Sequence, residues 1–322
     1  MSAGARAIVL ADIVAAQRRL EPFMSPSPLR ESDWLSAESG ATILLKLESV
    51  QLTNSFKIRG AFNAAAILAQ QSIPTAVTAS AGNHGRAMAL AGERLHVRTI
   101  VFTPQSAPAT KKAAIVRHGA ELHDDHPDYD AAERAAREYA AAHDVPFISP
   151  YTHPDVIAGA GTVGLEILAQ TPDVRTIVVP IGGGGLASGI GLVMKHAAPH
   201  VTVVGVEVDA SRPFAVGLAR GAITEIVVQP SLADGLTGNL EPGATTFEYV
   251  RRTVDRLVSV SEERLRDAVR GLAGEEHLVV EGAGAAATAA VLAGDVVSSG
   301  ERAVVLVTGG NIDAGRFREL LI

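Results

Sequence analysis

The chain has 322 residues, of which 47% are apolar and 20% charged, so it can bury a core and is too apolar for a disordered protein. Its net charge of -7 argues against a nucleic-acid partner, and the absence of cysteine excludes disulfides, thiolate metal sites and cysteine nucleophiles. No secretory signal precedes the first predicted strand, and the uncharged stretch 176–194 contains Pro180 and four consecutive glycines, which a membrane-spanning helix would not tolerate. We therefore expect a cytoplasmic protein with no membrane partner.

Short apolar runs alternate with alanine-rich stretches of helical spacing. The predicted strands are Thr42–Leu47, Thr75–Ala79, Thr99–Phe102, Glu121–His123, Pro146–Ser149, Thr176–Val179, Val201–Glu207, Arg256–Val260 and Ala303–Thr308. The predicted helices include Phe56–Ala69, Asn83–Glu93, Asp128–Ala142 and Ser261–Ala273. Such alternation is typical of βαβ units with a mostly parallel sheet. The sequence predicts an α/β fold with two lobes: a discontinuous large domain of residues 1–71 and 151–322, and a small domain of residues 72–150.

The segment KLESVQLTNSFKIRGAFNA, residues 46–64, places Lys57 at the start of a predicted helix. The positive end of a helix makes loss of the amine's proton easier, which suits a lysine that acts as nucleophile and base. A solvated lysine in the first turn is the alternative. The preceding Asn54 and Ser55 have an alternative role of their own, as N-cap residues of the helix.

The segment TASAGNHGRAMAL, residues 78–90, reads as a strand end, a turn of small residues and a helix start. Ser80, Asn83 and the N–H groups of the turn could bind a carboxylate or a phenolate oxygen. Alternatively, Asn83 only caps the helix and His84 is a hydrogen-bonded structural histidine.

The segment IGGGGLASG, residues 181–189, follows an apolar run and opens a helical stretch. Converging N–H groups and the helix N-terminus indicate a phosphate site. A turn that serves only close packing is one alternative. The other is a dinucleotide site, because Gly182, Gly184 and Ala187 fit G-x-G-x-x-A and Glu207 ends the next predicted strand, where a ribose-binding acid could lie.

Together with the C-terminal VVLVTGGNID, these segments resemble the pyridoxal-phosphate enzymes of the serine/threonine dehydratase and serine racemase family, of the tryptophan-synthase-β-like fold type II. The motifs SFKIRGA, SAGNHG, GGGGL, ADG (233–235) and TGGN (308–311) occur in this order within residues 24–313. The related cysteine-synthase branch would have Asp-Arg after the lysine and a GNTG loop, whereas this chain has Lys-Ile-Arg and GNHG. The resemblance therefore favours the dehydratase branch and implies fold type II with two lobes.

The resemblance also implies a role for each matching residue. Lys57 would hold the cofactor covalently and would be the catalytic base at the substrate Cα. The other cofactor-binding residues would be Phe56 beside the ring, Asn83 at the phenolate oxygen, Gly182, Gly183, Gly184, Gly185 and the N–H of Leu186 at the phosphate, and Thr308 at the pyridine nitrogen. The substrate-binding residues would be Ser80, Ala81, Gly82 and His84. A hydroxyl at the pyridine nitrogen makes the ring a weaker electron sink than a carboxylate would, which suits elimination.

Two positions depart from the family pattern, and one site of the family is incomplete. The family usually has Gly where Asn54 stands and Gln where Ala160 stands. Some members bind a divalent cation through a glutamate and a later acid; here Glu207 is present, but the second position falls near Pro213, so we expect no metal. We expect the run from His123 to His126 to be a solvated turn, and Glu281 to lie near the N–H groups of the helix that follows it.

The sequence thus predicts a homodimeric lyase that converts a β-hydroxy amino acid, L-threonine or L-serine, to a 2-oxo acid and ammonia. Racemisation and 3-hydroxyaspartate dehydration are alternatives within the family, and a nicotinamide-dependent oxidoreductase and a non-catalytic binding protein are alternatives outside it. Racemisation needs a second acid/base opposite Lys57. In the family's racemases a serine follows the first serine of the turn, whereas here Ala81 offers only a methyl group.

Overall fold

The structure is a computed structural model that describes residues 6–80, 82–294 and 296–322. Its strands are β1 (Leu29–Glu31), β2 (Thr42–Leu47), β3 (Thr75–Ala79), β4 (Arg98–Pro104), β5 (Glu121–His126), β6 (Thr176–Pro180), β7 (Thr202–Val208), β8 (Arg256–Val260) and β9 (Arg302–Val307). Its helices are α1 (Leu10–Leu20), α2 (Asp33–Ser39), α3 (Lys57–Gln70), α4 (Asn83–Leu95), α5 (Ala109–Val116), α6 (Tyr129–Ala142), α7 (Pro154–Gln170), α8 (Gly185–Ala197), α9 (Pro213–Arg220), α10 (Thr245–Thr253), α11 (Glu262–Gly274), α12 (Gly282–Ala293) and α13 (Ala314–Leu321). Short 3₁₀ turns occupy Glu48–Val50 and Asp234–Leu236.

The larger sheet has six strands in the order β1-β2-β9-β6-β7-β8. Every neighbouring pair is parallel except β1 and β2. Its central strands are buried along their length because helices cover both faces, which explains their continuous apolar sequence. Ile157 of α7 and Ile190 of α8 belong to the core on one face, and Leu265 of α11 and Ala286 of α12 belong to the core on the other.

The smaller sheet has three parallel strands in the order β3-β4-β5, all within the predicted small domain. The predicted strand Pro146–Ser149 is wrong: only Phe147 forms a single parallel bridge, to Val77 of β3. Pro146 has no N–H with which to extend the pairing. The run from His123 to His126 belongs to β5 and is not a solvated turn. The bounds of the two domains stay a prediction.

The sheet order brings several carboxyl strand ends together. β2, β9 and β6 are consecutive in the larger sheet and parallel, so the segments that follow Leu47, Val307 and Pro180 leave the same edge. In open α/β sheets this edge is where ligands bind. Among the described residues, no helix combines the length and apolar character needed to cross a membrane.

Candidate active site

The segment before α3 lies against the segment after β9. The N–H of Phe56 donates to the carbonyl of Thr308 at 3.1 Å, and Ser55 forms an antiparallel bridge with Gly309. The N–H of Gly310 donates to the carbonyl of Asn54 at 2.9 Å. Motifs that are about 250 residues apart in the sequence therefore form one wall of a single site.

Asn54 has a φ of 54°, in the left-handed region that favours glycine. Asparagine is one of the few other residues that tolerate this conformation, which accounts for its presence where the resemblance suggests Gly. The capping alternative for Asn54 is wrong, because the N-cap of α3 is Phe56 and no side chain caps it. The hydroxyl of Ser55 accepts from the N–H of Lys57 at 3.2 Å, so Ser55 does satisfy a donor of the first turn.

Lys57 is the first residue of α3, and its side chain is half-buried. Its Nζ donates to the carbonyl of Pro150 at 2.9 Å and lies 5.2 Å from the ring centroid of Phe56. No carboxylate forms an ion pair with this amine among the described residues. Burial without a compensating negative charge lowers the pKa of Lys57 to about 8. The solvated-lysine alternative is therefore wrong, and the neutral fraction of the amine at pH 7 rises to about a tenth, far above that of an ordinary lysine.

The turn after β3 presents polar groups to the same space. The N-cap of α4 is Gly82, and Asn83 follows it with its side chain bonded elsewhere, so the capping alternative for Asn83 is also wrong. The hydroxyl of Ser80 accepts from the N–H of Gly82 at 3.2 Å, which leaves its own proton free to donate. Ala81, the remaining predicted substrate-binding residue of the turn, lies outside the described residues.

His84 is buried, and neither ring nitrogen has a hydrogen-bond partner in the described part of the chain. The backbone of Ile148 nevertheless acts on the ring as a weak hydrogen-bond partner, so the structural role of His84 stays an alternative. Burial lowers the pKa of His84 to about 3, and the positive charge of the neighbouring Lys57 contributes to this lowering. His84 is thus a neutral group beside the reactive amine.

The glycine loop joins β6 to α8 beside the segment that holds the Lys57 amine. A Cβ on Gly183 would lie 2.2 Å from the ring of Tyr151, the residue after the carbonyl that binds Lys57 Nζ. Gly184 is the N-cap of α8 with a φ of 85°. The N–H groups of residues 182–186, the predicted phosphate site, donate to no acceptor among the described residues. Unpaired N–H groups at a helix N-terminus form a site for an anion.

Two more motifs border this loop. A Cβ on Gly182 would lie 2.9 Å from the carbonyl oxygen of Gly235, which belongs to the ADG motif. Thr308 is buried, and its hydroxyl is 3.5 Å from the carbonyl oxygen of Ala283, at the limit of a hydrogen bond. The hydroxyl is therefore available for another partner, as the predicted role at a pyridine nitrogen requires.

Sequence reasoning missed Glu281 and Asn311 as members of this site. Glu281 was expected near the N–H groups of α12, but its side chain makes no capping bond, and its Oε1 accepts from Asn83 Nδ2 at 2.6 Å. Asn311 Nδ2 donates to Asn83 Oδ1 at 2.7 Å. TGGN was recognised as a motif, but nothing in the sequence indicates which side chain its asparagine contacts. No local pattern could reveal a partner for Glu281 that is 198 positions away.

Glu207 does not support a dinucleotide site. Its carboxylate accepts from the N–H groups of Phe214 and Ala215, at 2.8 Å and 2.9 Å, and thereby caps the start of α9. Burial raises the pKa of Glu207 to about 7, in spite of these two hydrogen bonds. A buried carboxylate already bound to two backbone donors is not available to a ribose. No group of three or more His, Asp or Glu residues in the described ranges is arranged to hold a metal ion.

These features fit pyridoxal phosphate. Lys57 offers an amine of lowered pKa, the loop at residues 182–186 offers free N–H donors to a phosphate, and the Thr308 hydroxyl is available. Asn83 Nδ2 donates one hydrogen to Glu281 and carries a second.

Comparison with known proteins agrees with this fit. The family model described as "Pyridoxal-phosphate dependent enzyme" matches residues 20–309. The chain belongs to this family. It is 38% identical to the L-threonine ammonia-lyase of Thermotoga maritima, over 98% of this chain and 78% of the relative. It is 37% identical to L-threonine dehydratase catabolic TdcB of Escherichia coli K12, over 97% of this chain and 96% of the relative.

Solved structures of similar proteins have the same fold. Threonine deaminase from T.th. superposes with a TM-score of 0.88 and 36% identity, over 95% of this chain and 99% of that chain. Maize serine racemase superposes with a TM-score of 0.89 and 30% identity, over 98% of each chain. The comparisons confirm the predicted family, the α/β fold type II, the pyridoxal-phosphate cofactor and the lyase class.

Proposed function

We propose that this chain eliminates water from L-threonine or L-serine and releases a 2-oxo acid and ammonia. The observation that carries the proposal is the amine of Lys57, which has no acid partner among the described residues and borders the same segment as the glycine loop. The names of its relatives, L-threonine ammonia-lyase and L-threonine dehydratase, support this choice of substrate class.

The cofactor would be held by groups that keep free hydrogen-bonding capacity within the described part of the chain. The N–H groups of residues 182–186 would bind its phosphate at the N-terminus of α8. Asn83 would donate its second N–H to the ring oxygen, Phe56 would pack beside the ring and Thr308 would bond the ring nitrogen. When bound, pyridoxal phosphate supplies an electron sink for the negative charge that develops at the substrate Cα.

Lys57 would hold the cofactor, yield its place to the substrate amine and then take the Cα proton. A base with a pKa of about 8 can both accept and return a proton at physiological pH. The Ser80 hydroxyl and the N–H groups at the start of α4, at Asn83 and His84, would orient the substrate carboxylate, and the His84 ring would border it as a neutral group. Loss of the Cα proton and the β-hydroxyl removes one water, and hydrolysis of the C–N bond then gives the 2-oxo acid and ammonia.

Two further properties belong to this proposal. We place the enzyme in the cytoplasm, and we expect it to act as a homodimer with no nucleic-acid partner. Light scattering of the purified protein measures the assembly directly: a mass of twice 33.4 kDa is expected, and a monomer would contradict the dimer.

The proposal is tested by assaying the purified protein, loaded with pyridoxal phosphate, against L-threonine, L-serine and 3-hydroxyaspartate. We expect 2-oxo acid from the first two and little D-isomer, because Ala81 cannot donate or accept a proton. Ala81→Ser should raise racemisation relative to elimination. Rapid conversion of L-serine to D-serine by the unmodified protein would contradict the proposal in favour of a racemase, and a preference for 3-hydroxyaspartate would reassign the substrate.

A further inference from the structure

Glu281 lies in the candidate site without a role in the reaction described above. It precedes α12, its side chain is 8% exposed, and Oε1 accepts from Asn83 Nδ2 at 2.6 Å. Burial raises the pKa of Glu281 to about 7 and the nearby charge of Asp234 acts in the same direction, while the bond from Asn83 and the charge of Lys111 oppose the rise. A buried acid that neither caps its helix nor forms an ion pair among the described residues calls for another explanation.

The partners of Asn83 fix the orientation of its amide. Its Oδ1 accepts from Asn311 Nδ2 at 2.7 Å, and its Nδ2 donates to Glu281. Asn311 is itself held, because its Nδ2 also donates to the carbonyl of Thr53 at 2.8 Å and its Oδ1 accepts from Arg86 at 2.5 Å. Asn311 Nδ2 can only donate, so the oxygen of the Asn83 amide faces Asn311 and its nitrogen faces Glu281, which accepts through Oε1.

The backbone of Gly309 keeps these groups close. The N–H of Glu281 donates to the carbonyl of Gly309 at 3.1 Å. A Cβ on Gly309 would lie 2.1 Å from Glu281 Oε1 and 3.3 Å from Asn83 Nδ2, so only glycine permits this approach. Gly309 follows Thr308, which is the predicted partner of the pyridine nitrogen. The carboxylate thus lies beside Asn83 and beside the segment that carries Thr308.

We propose that Glu281 is a positioning residue, which orients Asn83 so that its second amide hydrogen points to the ring oxygen of the cofactor. The inference rests on the proposed function, since the ring site is the one assigned there. Glu281 acts through Asn83 and does not itself contact the reacting atoms. Without the carboxylate, the bond from Asn311 is the one side-chain contact among the described residues that still orients the Asn83 amide, so the amide is held less firmly and its second hydrogen points less often to the ring oxygen.

The test is a double-mutant cycle of Asn83→Ala and Glu281→Ala, with pyridoxal phosphate as the probe. The readouts are the cofactor's visible absorption maximum and its dissociation constant. Each single variant should shift the maximum in the same direction and weaken binding about tenfold, and the double variant should resemble Asn83→Ala alone, because Glu281 acts only through Asn83. Additive effects of the two substitutions would overturn the proposal.

Two further variants separate positioning from a general structural role. Glu281→Gln keeps an oxygen that can accept from Asn83 and should restore the wild-type maximum; a shift as large as that of Glu281→Ala would overturn the proposal. Glu276 is equally buried and pairs with Arg30, away from Asn83, so Glu276→Ala should lose stability without a shift of the maximum. If the wild-type protein shows no visible band with the cofactor, the proposed function itself fails, which is a different result from additivity.

Discussion

Two lysines, Lys46 fully buried and Lys57 half-buried, lie near each other in the sequence but differ in their surroundings. Lys46 of β2 is fully buried, and its Nζ donates to Glu166 Oε2 at 2.7 Å and to the carbonyl of Ser27 at 2.8 Å. Within the described ranges, Lys57 of α3 donates only to the backbone carbonyl of Pro150. Burial lowers the pKa of both amines, but the charge and hydrogen bond of Glu166 oppose the effect at Lys46. Lys46 is held by its ion pair with Glu166, whereas the amine of Lys57 has no such ion pair among the described residues and is available for chemistry.

The surroundings of Lys46 continue into a larger cluster. Arg59, two residues after Lys57, donates to Glu48 at 2.7 Å and 2.8 Å and to Glu166 at 2.6 Å and 2.8 Å. Two cations therefore face two anions, and all four side chains are buried. This balanced network joins β2, α3 and α7 and holds the first turn of α3 in place. Lys57, whose amine pairs with no carboxylate among the described residues, lies within one helical turn of Arg59 in this network.

The largest effect that the comparison predicts is at Lys57. Lys57→Ala should lower turnover of L-threonine by about 10³-fold or more while the unfolding midpoint changes little, because its removal leaves no unpaired charge behind. Lys195 forms an exposed ion pair with Asp255, and Lys195→Ala is the matched control with unchanged turnover. Substantial activity of Lys57→Ala in the 2-oxo acid assay would show that another group is the base.

The next effect is on stability and concerns Lys46. Lys46→Met leaves Glu166 with one partner fewer in a buried site, so we expect a loss of about 3 kcal/mol or more in the free energy of unfolding, measured with urea. The cofactor content of the folded fraction should not change. Arg251 pairs with Glu248 at the surface, and Arg251→Ala should cost less than about 1 kcal/mol. Loss of the cofactor without loss of stability in Lys46→Met would remove the distinction between the two lysines.

The smallest effect separates backbone strain from ligand binding at two glycines. Gly184 and Gly221 have φ values of 85° and 75°, so backbone strain alone should cost either Gly→Ala variant about 1–2 kcal/mol of stability, to which Gly184→Ala adds a steric cost. A Cβ on Gly184 would also lie 2.6 Å from the ring of Phe214, whereas one on Gly221 would meet nothing within 4 Å. Gly184→Ala alone should weaken pyridoxal-phosphate binding, by about tenfold. Equal affinities, measured by absorbance titration, would contradict a phosphate site at the loop.

The sequence contained most of the fold and part of the site. Continuous apolar runs identified the buried strands, since helices cover both faces of the sheet, and five motifs in order indicated the family. The three-residue β1 is too short to produce a pattern, and Pro146–Ser149 has strand composition but only one paired residue. The lack of an acid partner for Lys57 and the bond between Asn83 and Glu281 depend on contacts between distant segments. Local sequence does not carry that information.

The central claim is that Lys57 is the amine that binds the cofactor and moves the proton. The most direct measurement is borohydride reduction of the protein loaded with pyridoxal phosphate, followed by mass spectrometry of its peptides. The chain has five lysines, so each can be assigned. The account predicts a cofactor-derived mass on the peptide that contains Lys57 and on no other. A label on Lys46 or another lysine, or no label on a protein that still converts L-threonine to a 2-oxo acid, would contradict it.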